Sequence, residues 1–143
     1  MKKIIATSLT ISLLFSVPVL ANGDQDARQK IKLPEMMKHH MLGNMRDHMQ
    51  AISEIEEALA NGKTDHAADI AEQRLGMSSL EEHHAAQMAK YMPQTMQDIG
   101  TEMHHAASRF AMTVKEGDTL KSLDGLAQIT QQCVACHAAY RLN

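Results

Sequence analysis

The chain has 143 residues, 14 lysines and arginines against 17 aspartates and glutamates, no tryptophan, two cysteines and twelve methionines. A net charge of −3 offers neither nucleic acid nor an anionic membrane a basic surface to bind, and the length allows one domain with a modest core. With aromatics at 3% of the residues, methionine has to fill space that Phe and Trp usually fill.

Residues 1–21 read as a secretory signal. Lys2 and Lys3 supply the positive start, Ile4 to Leu20 the apolar stretch, and Val19-Leu20-Ala21 the small-residue cleavage pattern. Ser8, Thr10, Ser12, Ser16 and Pro18 dilute the stretch and argue against a retained membrane anchor. The mature chain is expected to begin at Asn22 and to be one periplasmic, soluble domain over residues 22–143. Loss of Lys2 and Lys3 makes it more acidic still.

The spacing predicts a first helix from Leu33 to Leu59, with Met37, Met41, Met45, Ile52, Ile55 and Leu59 on one face. Pro34 suits its first turn, and Asn61-Gly62 is a left-handed stop. Thr64 or Asp65 opens a second segment carrying Ala67, Ile70 and Ala71, which weakens at Gly76. Ser78-Ser79-Leu80-Glu81 has the form of a capping box and predicts a fresh start running toward Tyr91. Met92-Pro93 interrupts again, and a third helix follows with Met96, Ile99, Met103, Ala106, Phe110 and Val114 at intervals of three and four. Gly117-Asp118 ends it and caps a fourth, whose seam is read as Leu120, Leu123, Ala127, Thr130, Val134 and His137. Short connections make an all-α, antiparallel four-helix bundle the expected architecture.

The fourth helix ends in Cys133-Val134-Ala135-Cys136-His137, the only cysteines of the chain. Two thiols three residues apart share a helical face and can add across the two vinyl groups of a haem, while the histidine that follows turns its imidazole to the iron. Thioredoxin-like chemistry would need a strand before the motif and a sheet behind it, and no convincing β-rich run is present. Zinc would need four ligands where three sit. A structural disulfide or a chance motif is the bland alternative.

With Cys136-His137-Ala138-Ala139-Tyr140-Arg141 closing an exported four-helix pattern, the chain resembles the class II c-type cytochromes, the cytochrome c′ group, which carry this motif and a C-H-x-x-Y-R ending in the last helix. Helix one departs from the family in lacking a Tyr-Arg pair, and Met41 falls about where that arginine would be. The resemblance implies one haem c held by Cys133 and Cys136, with His137 as proximal iron ligand. It places the distal position at Met45 or a neighbour. A methionine sulfur on the iron raises its potential and closes it to other ligands, which favours electron transfer with periplasmic redox partner proteins. An open distal site would instead bind small gases such as NO or CO. Met41, Met49 and His48 share much of the same face, and any one methionine in so rich a helix can be core filler.

The pairs His39-His40, His83-His84 and His104-His105 are poor chelates alone, since neighbours on a helix point about a quarter-turn apart. Read as pairs they are surface histidines on polar faces. His84 with Met88, or Met36 with His40, has one-face spacing that suits Cu(I), which leaves a periplasmic copper-binding bundle as a distant third function. Arg74 and Arg109 are two cations that could meet haem propionates, and otherwise are solvated charges. Nothing beyond the haem site offers a base, nucleophile and orienter, so no enzymatic role is expected. Association of two copies stays open.

Overall fold

A computed structural model describes residues 26–142, and the expected signal at 1–21 and its cleavage point lie outside them. The described chain is mostly helical, with four to five helices packed together. In chain order it runs β1 (Gln29–Ile31), α1 (Glu35–Ala60), α2 (Thr64–Ile70), α3 (Ala85–Ala89), α4 (Gln94–Thr113), α5 (Thr119–Ala139) and β2 (Tyr140–Leu142). None of these helices is long and apolar enough to cross a membrane.

The helix ends fall where local chemistry puts them. Pro34 and Pro93 each precede a helix, and Gly62 takes the left-handed conformation (φ 67°) that stops α1. Asp118 accepts hydrogen bonds from the Leu120 and Lys121 amides (2.9 and 3.1 Å) and so caps α5. One start is displaced. Ser78 gives its hydroxyl to the Glu72 carbonyl (2.7 Å) and its amide to the Glu72 carboxylate (3.2 Å), so the expected capping box does not open a helix there. The chain passes through a 3-10 turn and a left-handed His84 (φ 52°), and α3 begins only at Ala85.

Between them α2 is prolonged by a π-helical turn, Ala71–Leu75, that ends at Gly76. A Cβ on Gly76 would stand 2.7 Å from the Glu72 carbonyl oxygen, so only glycine lets the chain leave so tightly. The π turn swings Arg74 onto α1, where it bonds both Asp47 oxygens (3.1 Å from Nε) and also Glu54. The guanidinium holds the Asp47 carboxyl below its usual range. This half-buried fork contributes about 1 kcal/mol. Arg74→Ala is expected to lower the urea midpoint accordingly. The difference from the parent should shrink as pH falls through the depressed Asp47 value, because the pair's stability exists only while the carboxylate is ionised.

Two apolar clusters form the core. The larger joins Ile52 and Ile55 of α1, Ala67 and Leu75, Phe110 and Val114, and Leu126 and Ile129 of α5. Burial of a side chain such as Phe110, 1% exposed, contributes about 1.5–3 kcal/mol. The smaller is rich in thioethers: Met41, Met88 and Met96 with Ile31, Leu33 and Tyr140, and Met37, Met45, Met92 and Cys136 packed on them. The scarcity of aromatics is met here as composition required.

The α4 seam is observed, with Met96, Met103, Ala106 and Phe110 buried, Ile99 half-buried, and Val114 buried in the 3-10 turn that follows. The α5 seam is not. Leu120 (78% exposed), Leu123 (55%) and Val134 (67%) face outward, as do Ala127 and His137, so His137 does not continue a buried stripe. The buried row is Ser122, Leu126 and Ile129, continued by half-buried Cys133 and Cys136 and by buried Tyr140. That row lies about 100° around the helix from the one expected. Ser122 disguised it, yet its hydroxyl is satisfied by the Asp118 carbonyl (2.8 Å) and enters the interior at little cost. Gly125 allows the close approach, since a Cβ there would meet the Phe110 ring at 3.1 Å.

The ends of the described chain pair in a way periodicity does not announce. β1 and β2 run parallel, with Gln29, Lys30 and Ile31 opposite Tyr140, Arg141 and Leu142. This clasp holds residues 29–31 against the exit of α5, directly beside the cysteine motif.

Candidate functional site

A cavity of about 520 Å³ opens among α1, α3, α4 and the last turns of α5, within the range of small-molecule and cofactor pockets. Six methionines line it, Met41, Met45, Met88, Met92, Met96 and Met103. Cys136 and His137 line it from α5, and Tyr140 from the strand that follows. Met45 lines it from α1, as do Met41 one turn before and His48 about one turn after. The fold therefore brings Cys136, His137 and Met45 to one space. Met41 and His48 are more deeply buried than Met45, so burial alone does not single Met45 out.

Cys133 does not line the cavity. One turn before Cys136, it packs against the larger cluster, its thiol donating to the Ile129 carbonyl at 3.6 Å. Neither cysteine is in a disulfide. Burial pushes both thiols above their usual pKa, which keeps them protonated and weakly reactive until a partner is brought to them. His137 is exposed and stands at the cavity rim, its backbone carbonyl accepting from Arg28 Nη1 at 3.3 Å.

The cations at this rim are not the ones expected. Arg74 is engaged with Asp47 and Glu54, and Arg109 with Glu102 (2.6 Å), and neither lines the cavity. Arg28 and Arg141 do, brought there by the β1–β2 clasp, with Asp26 bridging them at 2.7 and 3.2 Å. Arg141 sits on a three-residue strand and Arg28 just before another, where no hydrophobic period marks them, so only the pairing of the two ends reveals them. Tyr140 is held by a hydroxyl contact with Thr95 of α4.

The histidine pairs divide. His84 and His105 are exposed, but His83 and His104 are buried, and His48 joins them. The surface reading fails for His83 and His104 but not for His39, which is exposed, with His40 half-buried beside it; on α4 the quarter-turn between neighbours sends His104 in as His105 goes out. Ring centroids lie 4.8 Å apart for His48 and His83, 5.5 Å for His83 and His104, and 6.2 Å for His48 and His104. Burial lowers the pKa of all three, His48 to about 4, so they are neutral imidazoles near pH 7. The expected His84–Met88 copper pair is not assembled as a closed site: Met88 is buried while His84 faces out against His40 at 4.5 Å.

No protein-family model, curated protein or solved structure matches this chain.

Proposed function

We propose that this chain is an exported monohaem c-type cytochrome, an antiparallel four-helix bundle of the class II kind, that carries electrons between periplasmic redox proteins. The observation that supports it is the convergence of Cys136, His137 and Met45 on one methionine-lined cavity of cofactor size. Cys133 and Cys136 would hold the haem through thioethers, His137 would supply the proximal imidazole, and Met45 the distal sulfur. The bound group supplies a one-electron iron couple.

The chain's own residues do the rest. The thioethers of the cavity would surround a bound haem with apolar atoms, an environment that favours the less charged, reduced state and raises the potential. Arg28 and Arg141, which share Asp26 at the rim, would be the cations within reach of carboxylates at the edge of a bound porphyrin. The protonated thiols remain available for a haem-attachment step outside the cytoplasm, where export would deliver them.

Intact-mass measurement of protein exported by a host competent in cytochrome c maturation tests this directly. One haem per chain, on a polypeptide starting near Asn22, is the expected result. A polypeptide with two free thiols or an internal disulfide under those conditions would rule the reading out.

A further inference from the structure

Three imidazoles stand together in the wall of the same cavity, on elements other than the helix that carries the cysteine motif. They come from three elements: His48 from α1, His83 from the segment before α3, and His104 from α4. Each is less than 10% exposed, and all three line the cavity.

Their hydrogen bonds set which nitrogen is available. The His104 Nδ1 lies 2.7 Å from the Leu75 carbonyl, which can only accept, so Nδ1 carries the proton and Nε2 the lone pair. The His83 Nδ1 lies 3.3 Å from the Ser79 hydroxyl. That hydroxyl spends its one hydrogen on the Gly76 carbonyl (2.7 Å), so it accepts from His83, and again Nε2 is left with the lone pair. The His48 Nε2 is buried with no partner. Two pinned Nδ1–H groups and an orphaned third nitrogen are the arrangement that metal-ligating histidines adopt, with the outer nitrogen fixed by a carbonyl or hydroxyl.

The spacing agrees. Three imidazoles bound through Nε2 at about 2.0–2.1 Å to one tetrahedral ion have ring centres about 5 Å apart, and those observed are 4.8, 5.5 and 6.2 Å apart. Among the described residues no three such side chains already converge on a finished centre. Closure here calls for rotation of the His48 ring, the one of the three that no hydrogen bond pins, about its broad terminal torsion. We infer that His48, His83 and His104 form a three-histidine site for a copper ion, within the cavity wall and separate from the Cys133–His137 motif. Neutral imidazoles without a carboxylate select a late transition metal over magnesium or calcium, and copper heads the divalent affinity order. Met103, on α4 with His104, lines the same cavity and offers soft sulfur to the reduced ion.

The site does not depend on the haem reading, and the experiment separates the two. The exported full chain is dialysed against Cu(II) with a competing chelator, copper is measured by elemental analysis, and haem by its own absorption. One copper per chain is expected, with electron paramagnetic resonance showing nitrogen superhyperfine splitting from histidine ligands. His83→Gln and His104→Gln should each weaken copper binding by about 100-fold or more, whereas His84→Gln and His105→Gln, on the exposed partners, should leave it unchanged. A parent chain that takes no copper, or copper without nitrogen splitting, overturns the inference whether or not the variants fold. So does uptake that survives His83→Gln and His104→Gln in a folded chain. A haem-free chain that binds copper in this pattern would instead sustain this site and remove the cytochrome reading.

Discussion

Cys133→Ala with Cys136→Ala is expected to lower the thermal midpoint by about 15 °C or more, the equivalent of about 4 kcal/mol in a domain of this size. The reason lies in how the core is divided. The cluster around Ile55, Phe110 and Ile129 closes on itself, but the methionine cluster surrounds a cavity of about 520 Å³. A haem held by thioethers would stay on the unfolded chain as well, but only in the folded chain would it fill that space and make its packing contacts and axial bonds, which favours the folded state. Without it, thioethers that line an unfilled space lose their contacts, and long unbranched side chains rearrange. Circular dichroism of the double variant should retain helix from the larger cluster while the melting curve shifts down and broadens. A variant that melts with the parent would show that the methionine cluster is packed without any cofactor, and the cytochrome reading would lose its structural half.

The amount of this that could be read from the sequence differs from element to element for physical reasons. Stops at Gly62 and Gly117-Asp118 and breaks before Pro93 are backbone constraints that no packing partner can override, and all of them are observed. The α4 face was legible because its apolar spacing is uninterrupted. The α5 face was not, because α5 carries two rival stripes. The row through Leu120, Leu123 and Val134 is the more hydrophobic to the eye, and the row through Ser122, Leu126 and Ile129 is the one Gly125 allows onto Phe110. The sequence showed Cys133 and Cys136 as one helical face, and on the observed side that face does turn inward.

The buried histidines and the rim arginines were hidden for another reason. A histidine pair on a helix has no preferred inward member until its neighbours are known, and His83 lies in no regular helix at all. One sign was available: Ser79 precedes His83 by four residues, a spacing from which a hydroxyl can hold a ring nitrogen. Arg28 reaches the cavity only through strand pairing between residues more than a hundred positions apart, a non-local contact that periodicity cannot express.

Met45→Ala is expected to produce the largest spectroscopic change of any single substitution in α1. If the Met45 sulfur completes the iron's coordination, the oxidised parent is low-spin, and its reduced form resists carbon monoxide. The variant should then turn high-spin, bind carbon monoxide, and show a lower reduction potential, since a thioether ligand stabilises the reduced iron. Met41 and His48 line the same cavity and are the more deeply buried, so they make the necessary comparison. Met41→Ala should cost about 2–5 kcal/mol of stability through lost packing and leave the spin state alone. A low-spin parent whose spectrum changes only in His48→Ala would place two histidines on the iron, keeping electron transfer while taking His48 away from the copper site. A parent already high-spin and quick to bind carbon monoxide would remove methionine ligation altogether. In that event the cavity's apolar wall would serve to admit a small gas, and the chain would be a gas-binding cytochrome rather than an electron carrier.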